Sequence, residues 1–185
     1  MPTRRTAALR QGRISSSGAR YFLTFCTRNR EPRLTAPVTG AALDGILARL
    51  EKDGDWELMA QTIMPDHMHI LAVLSGRLTV GQTVGKFKAL TKPALKVAGA
   101  AWQENFFEHR LRPEEAANPY ARYMFLNPYR AQLIQRLGVW PFWRQSQAHE
   151  FDFSELLIED RFPPEEWLTS DVETLGLRTE DVGAD

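Results

Sequence analysis

Gln61-Thr-Ile-Met-Pro-Asp-His-Met-His-Ile-Leu-Ala-Val-Leu74 is the stretch that decides the fold. Apolar, β-favouring residues flank Pro65-Asp66, which predicts two strands joined by a tight turn. His67 and His69 are two residues apart on the second strand, so both imidazoles leave the same face of a sheet. Met68 and Ile70 point the opposite way, into a core. Two neutral imidazoles on one face can chelate a divalent ion. The same spacing also describes two polar residues on a solvated strand face, and the hairpin alone does not choose between these readings.

Upstream, Tyr21-Phe-Leu-Thr-Phe-Cys-Thr27 is aromatic and β-branched and predicts a first strand. After a proline-containing loop, Leu43, Ile46, Leu47 and Leu50 fall at helical spacing within Gly40–Lys52. Downstream, Thr79 is a cap for a helix running to about Ala98, which Pro93 should break or kink. Trp102–His109 predicts a fourth strand. A third helical segment runs from about Pro113 to Leu126, interrupted or begun afresh at Asn118-Pro119. The order β-α-β-β-α-β-α is the split β-α-β pattern of ferredoxin-like α+β domains. It predicts an antiparallel sheet with helices on one face and the other face left to carry a site. Further on, Val139-Trp-Pro-Phe-Trp143 reads as an aromatic clasp docking on the body, with a short helix expected near Phe153–Ile158.

The 185 residues suit one domain with extensions, and 43% hydrophobic and 25% charged content is ordinary for a globular protein. The single Cys26 excludes an internal disulfide framework and fits a reducing cytoplasm. No apolar run of about 18 residues is present, so no membrane span is expected. Nor does the N-terminus have the apolar core of a signal peptide. The formal net charge of zero hides a gradient: +7 over residues 1–35, −10 over residues 150–185, and +3 between them. The expected organisation is a basic arm (1–19), a catalytic body (20–144) and an acidic extension (145–185). A basic arm suits a polyanionic partner, whereas the acidic stretch could lie over a basic groove or be a solvated terminus.

A second informative stretch is Tyr120-Ala-Arg-Tyr-Met-Phe-Leu-Asn-Pro-Tyr-Arg-Ala-Gln-Leu-Ile134. Tyr123 and Asn127, at i and i+4, share one face of a helix. Laid over the histidine strand, that face would complete a small site. His67, His69 and Asn127 would hold an oxygen-preferring ion, Mg²⁺ or Mn²⁺, and Tyr123 would be the nucleophile. Two alternatives stay open: Asn127-Pro128 is also what a helix N-cap looks like, and Tyr120 lies one turn earlier on nearly the same face.

Several blocks occur in order: Tyr21-Phe-Leu-Thr-Phe-Cys-Thr-Arg-Asn-Arg30, Met64-Pro-Asp-His-Met-His69, Phe87-Lys88, Trp102-Gln103, Phe107-Glu-His-Arg-Leu-Arg112, Ala121-Arg-Tyr123 and Asn127-Pro-Tyr-Arg-Ala131. Together, over roughly Arg20 to Leu133, they resemble the single-tyrosine HUH transposases, specifically the REP-associated tyrosine transposases of bacteria. His67-Met68-His69 matches the His-bulky-His signature, and the family's tyrosine, four residues before Asn-Pro, falls on Tyr123. Gln132 stands where the family pattern has glycine, and Glu108 where aspartate is usual.

The resemblance implies a bacterial cytoplasmic protein that cleaves and rejoins single-stranded DNA at hairpin-bearing inverted repeats, through a 5′-phosphotyrosine intermediate. Monomer and homodimer both remain open. Phosphate contacts are expected from Arg4, Arg5, Arg10, Arg13, Lys86, Lys88, Lys92, Arg110, Arg112 and Arg122, and base stacking from Trp102 or Phe106. A relaxase or replication initiator would use the same chemistry. A non-catalytic ferredoxin-like binding module would need neither Tyr123 nor metal.

Overall fold

The strands Arg20–Cys26 (β1), Trp56–Ile63 (β2), His67–Leu74 (β3), Phe107–Arg110 (β4) and Trp143–Gln145 (β5) form one sheet in the order β4-β1-β3-β2-β5. Every neighbouring pair is antiparallel. These elements come from a computed structural model that describes residues 17–169 and 171–183. The basic-arm arginines Arg4, Arg5, Arg10 and Arg13 lie outside the described residues. The helices are Pro37–Lys52 (α1), Val80–Val97 (α2), Asn118–Arg130 (α3) and the single turn Thr179–Val182 (α4). Among the described residues, no helix is long and apolar enough to cross a membrane.

Strand parity sorts the side chains into two cores. Tyr21, Leu23 and Phe25 of β1 and Met68, Ile70 and Ala72 of β3 face α1 and α2, which supply Leu43, Leu47, Leu50, Val84 and Phe87. Phe22 and Leu71 face the other way, against Tyr120, Met124 and Phe125 of α3. The pair α1/α2 thus covers one face as expected, and α3 lies alone on the face that carries the histidines. A register slip between Leu58 and Ala60 is a β-bulge. It turns Met59 and Ala60 both toward α3, so that Ile63 reaches the first core and Thr62 stands beside His69.

Local sequence accounts for most boundaries. Thr79 and Gln82 form a reciprocal capping box at the start of α2. Pro93 does not break α2: the helix runs on to Val97, because the hydrogen bond that proline forfeits would have gone to the carbonyl of Ala89, an exposed residue on the solvated side. The fourth strand begins later than expected. Trp102 makes only an isolated bridge to Thr27, and pairing with β1 starts at Phe107. The Trp102 ring packs on Phe25 and Phe87 while its Nε1 donates to Thr91 Oγ1 at 2.9 Å, so it is a core residue with no face for a base. The clasp docks as expected: Trp140 Nε1 donates to the Ile63 carbonyl at 3.1 Å. Phe142 lies so close to α1 that a Cβ on Gly40 would come within 2.5 Å of its ring.

The acidic stretch is not a bare extension. Phe151, Phe153, Trp167, Leu175, Leu177 and Val182 are buried with α3 in the second core, so these side chains form that helix's outer covering. The short helix near Phe153 is a 3-10 turn, Asp152–Leu156.

α3 starts at Asn118 and passes through Asn127-Pro128 without stopping, so Asn127 is not an N-cap. It ends in a Schellman turn: Leu133 N donates to the Pro128 carbonyl and Gln132 N to that of Tyr129. Gln132 takes φ +57°, the left-handed region that glycine enters without strain. Gln132→Gly is therefore expected to raise stability by about 1 kcal/mol or less, the relief of Cβ strain exceeding the added freedom of the unfolded chain. That corresponds to about 2–4 °C in a thermal melt, and a lowered midpoint would contradict it.

Candidate active site

The Met64-Pro65-Asp66 turn is clamped before its side chains do anything. Thr27 N and Oγ1 both reach the Asp66 carbonyl, Leu34 N reaches that of Pro65, and Met64 N closes on His67 O. His67 leaves this fixed corner and His69 follows on the same face, their ring centroids 4.8 Å apart and nearly perpendicular. Each ring is held at Nδ1. His67 Nδ1 donates to Asp66 Oδ1 at 2.7 Å, and His69 Nδ1 donates to Thr24 Oγ1 at 2.8 Å. Nε2 is then the lone-pair nitrogen of both rings, the arrangement by which an outer partner fixes a metal-binding imidazole.

His69 is fully buried and stacks on Phe22 at 5.3 Å. Burial, with smaller contributions from His67 and Arg30, holds its pKa well below the usual imidazole range, so the ring is neutral. Asp66 shifts down as well, chiefly through its hydrogen bond to His67 and with help from Arg30, whose Nη1 stands 3.3 Å from Oδ2. Arg30 itself adopts φ +56°, an uncommon conformation for a non-glycine residue.

From the other side, α3 brings Tyr123 and Asn127. Asn127 Nδ2 donates to His69 Nε2 at 3.0 Å, and the Tyr123 ring lies edge-on to His69 at 5.5 Å. The Asn127 carboxamide and the His69 lone pair thus lie close enough to be offered to one cation together. A half-turn of the carboxamide presents Oδ1 in place of Nδ2. His67, His69 and Asn127 could therefore hold a hard divalent ion, with open positions for oxygen ligands.

His67, Tyr123 and Asn127 line one cleft of about 480 Å³. Its remaining walls include Met64, Arg130 and Leu133, and Val172, Thr179, Val182 and Gly183 from the acidic stretch. Tyr120, the alternative tyrosine, is 2% exposed, stacked on His109 and absent from the cleft wall. Burial and then the charges of Glu115 and Asp181 push its phenol far above the ordinary range, which removes it from easy ionisation.

The expected DNA-contacting residues are dispersed. Arg110 and Arg112 are exposed at and just beyond the β4 edge, and Lys92 is exposed on α2. Lys88 donates to the carbonyls of Gln103 and Asn105 and lies near the Phe25 and Phe106 rings. Lys86 pairs with Asp53 at 2.9 Å and Asp55 at 2.6 Å, on the sheet face opposite α3. Arg122 lays its guanidinium over Trp167 at 3.7 Å.

Sequence reasoning did not find Asp66, Thr24, Arg30 or Arg130 as parts of the site. Thr24 was available in principle, because its even parity on β1 puts it beside β3. His109, Glu115 and Asp181 form a second polar cluster, but their atoms already bind one another, Arg178 and the Arg112 backbone. That cluster ties α4 to β4 and to the loop before α3.

A family model described as "Transposase IS200 like" matches residues 15–111. The curated REP-associated tyrosine transposase of Escherichia coli (strain K12) is 24% identical over 127 residues, covering 68% of this chain and 75% of that one. The solved structure of a REP-associated tyrosine transposase bound to a REP hairpin aligns with a TM-score of 0.60 at 22% identity. That alignment covers 76% of this chain and 93% of the other, and the fold is shared.

Proposed function

The chain belongs to the IS200-like transposase family, and on that premise we propose that it cleaves and rejoins single-stranded DNA at hairpin-forming repeats through a covalent link to Tyr123. The substrate class is carried over from the relative that was solved bound to a REP hairpin. The observation that supports the chemistry is that His67, Tyr123 and Asn127 line one cleft, with Nε2 of the buried His69 directly behind the Asn127 carboxamide.

In this reading the Tyr123 oxygen attacks the scissile phosphorus, the P–O3′ bond breaks, and a 5′-phosphotyrosine and a free 3′-OH result. The phosphodiester's energy is retained in the link, so a second 3′-OH can reverse the step and join strands. His67, His69 and Asn127 would hold Mg²⁺ or Mn²⁺, an ion that would supply Lewis-acid stabilisation of the charge developing on the phosphate. Asp66 and Thr24 keep the two rings oriented. Outside the cleft, Arg110, Arg112, Lys92 and the arm arginines contact phosphates more readily than Lys86, whose charge is already met by Asp53 and Asp55.

The test uses the full chain, Mn²⁺ or Mg²⁺, and labelled single strands carrying the inverted repeats that flank its gene. A denaturant-resistant protein–DNA band and a matching free 3′ end are expected, absent with chelator and absent on the fully paired duplex. No band on any hairpin-bearing strand would overturn the proposal. Asp66→Ala should weaken Mn²⁺ binding about 10–100-fold, as read by calorimetric titration. Unchanged affinity would reduce Asp66 to a turn residue.

A further inference from the structure

Arg130 follows Tyr123 at i+7 and Asn127 at i+3 along α3, so the three share one helical face. All three line the same cleft with His67. The other cations nearest the site are committed: Arg30 to Asp66, Arg122 to the face of Trp167, Arg178 to Asp181. Among the described residues, no ion pair or side-chain hydrogen bond involves the Arg130 guanidinium, although the residue is half-buried between Ala131 and the cleft. Asp171 is near enough to feel the Arg130 charge but makes no ion pair with it, and a cation so placed in a partly apolar cleft suits an anion that arrives from outside.

We propose that Arg130 is the phosphate-binding catalytic residue of this cleft, its guanidinium gripping the non-bridging oxygens of the phosphate that Tyr123 attacks. The inference rests on the reading of Tyr123 as nucleophile. The scissile phosphodiester carries one negative charge, and a second develops as the tyrosine oxygen adds and the 3′ oxygen departs. Two parallel N–H donors on a planar cation match that change, and Arg130 neither gives nor takes a proton. Its place in the last turn of α3 would also suit a purely structural role toward the helix dipole, so the test must separate the two.

The probe is the hairpin strand cut by the wild-type protein, made once with its natural scissile phosphate and once with a neutral methylphosphonate there. On the natural strand at saturating DNA, Arg130→Ala and Arg130→Gln should slow adduct formation about 10²–10³-fold, as expected for one lost transition-state donor. Arg130→Lys should recover part of the rate, since it keeps the charge and loses the fork. On the methylphosphonate, the gap between wild type and Arg130→Gln should shrink to about threefold or less, because the charged non-bridging oxygen that Arg130 grips has been replaced by a methyl group and the total charge to be met is one lower. A structural role predicts the same defect on both strands, and that result overturns the proposal. So does an Arg130→Gln rate within about threefold of wild type on the natural strand, which decides the matter if neither protein cuts the methylphosphonate. Should Tyr123→Phe still form the adduct, the underlying reading fails. Loss in Tyr123→Phe with full activity in Arg130→Gln sinks the Arg130 assignment alone.

Discussion

Tyr123→Phe is expected to remove the denaturant-resistant protein–DNA link entirely while leaving DNA affinity within about twofold of wild type. The substitution deletes one hydroxyl and nothing else. Tyr123 is 4% exposed, and its ring packs against Phe22 at 6.1 Å and His69 at 5.5 Å, contacts that phenylalanine retains. Removing one hydroxyl while keeping the ring costs at most about the 0.5–1.5 kcal/mol net worth of one hydrogen bond, so the fold should persist. The control is Tyr120→Phe. Tyr120 is buried between His109 and Phe22, does not line the cleft, and has a phenol that burial pushes strongly toward the neutral form. It should form the adduct at the wild-type rate. If Tyr120→Phe loses the link and Tyr123→Phe keeps it, the two tyrosines have been assigned the wrong way round.

His67→Ala and His69→Ala should each cut cleavage by about 10²-fold or more, with the two variants differing in stability. His67 lines the cleft and its Nδ1 faces Asp66, whose turn is held independently by backbone hydrogen bonds, so its removal should leave the fold unchanged. His69 is 0% exposed, and its loss takes the hydrogen-bond partner from both Thr24 Oγ1 and the Asn127 carboxamide. Leaving buried polar groups unmet costs about 1–3 kcal/mol, so His69→Ala should melt earlier as well as fail to cut. His69→Gln, which can still meet one of those partners, is the fairer measure of the ligand role. Asn127→Ala should be milder, because water can replace a neutral oxygen ligand, and raised Mn²⁺ should partly restore it. No metal concentration should restore Tyr123→Phe. A His67→Ala/His69→Ala double variant that cuts at full rate in chelator would return the protein to the class of binding modules.

Period-two alternation made the sheet legible. His67 and His69 had to share a face, Met68 and Ile70 had to face α1 and α2, and the Thr79 cap had to open α2. The i, i+4 relation of Tyr123 and Asn127 likewise survives intact from sequence to structure. What failed did so where distance along the chain outweighs local pattern. Trp102 looks like a strand residue by propensity, yet the core between Phe25 and Phe87 takes its ring. Asn127-Pro128 looks like a helix start, yet packing continues the helix through it. Phe151, Phe153 and Trp167 sit in a stretch whose acidity masks them, and only the uncovered side of α3 explains their burial. Arg130 reads as an ordinary C-terminal cation until the cleft is seen.

Val172, Thr179, Val182 and Gly183 wall the cleft, although they are encoded far downstream of the histidine strand. On the ribosome, the β2–β3 hairpin can pair with β1 while those residues are still to be made, at about 5–20 residues per second. A nascent chain therefore holds His67, His69, Tyr123 and Asn127 before it has a finished cleft. In that interval Met124 and Phe125 lack the cover that Phe153 and its neighbours later provide, and chaperones can read the bare side of α3 as unfinished. A message cut short before this region leaves the apolar outer side of α3 bare, a surface that proteases and chaperones can both reach.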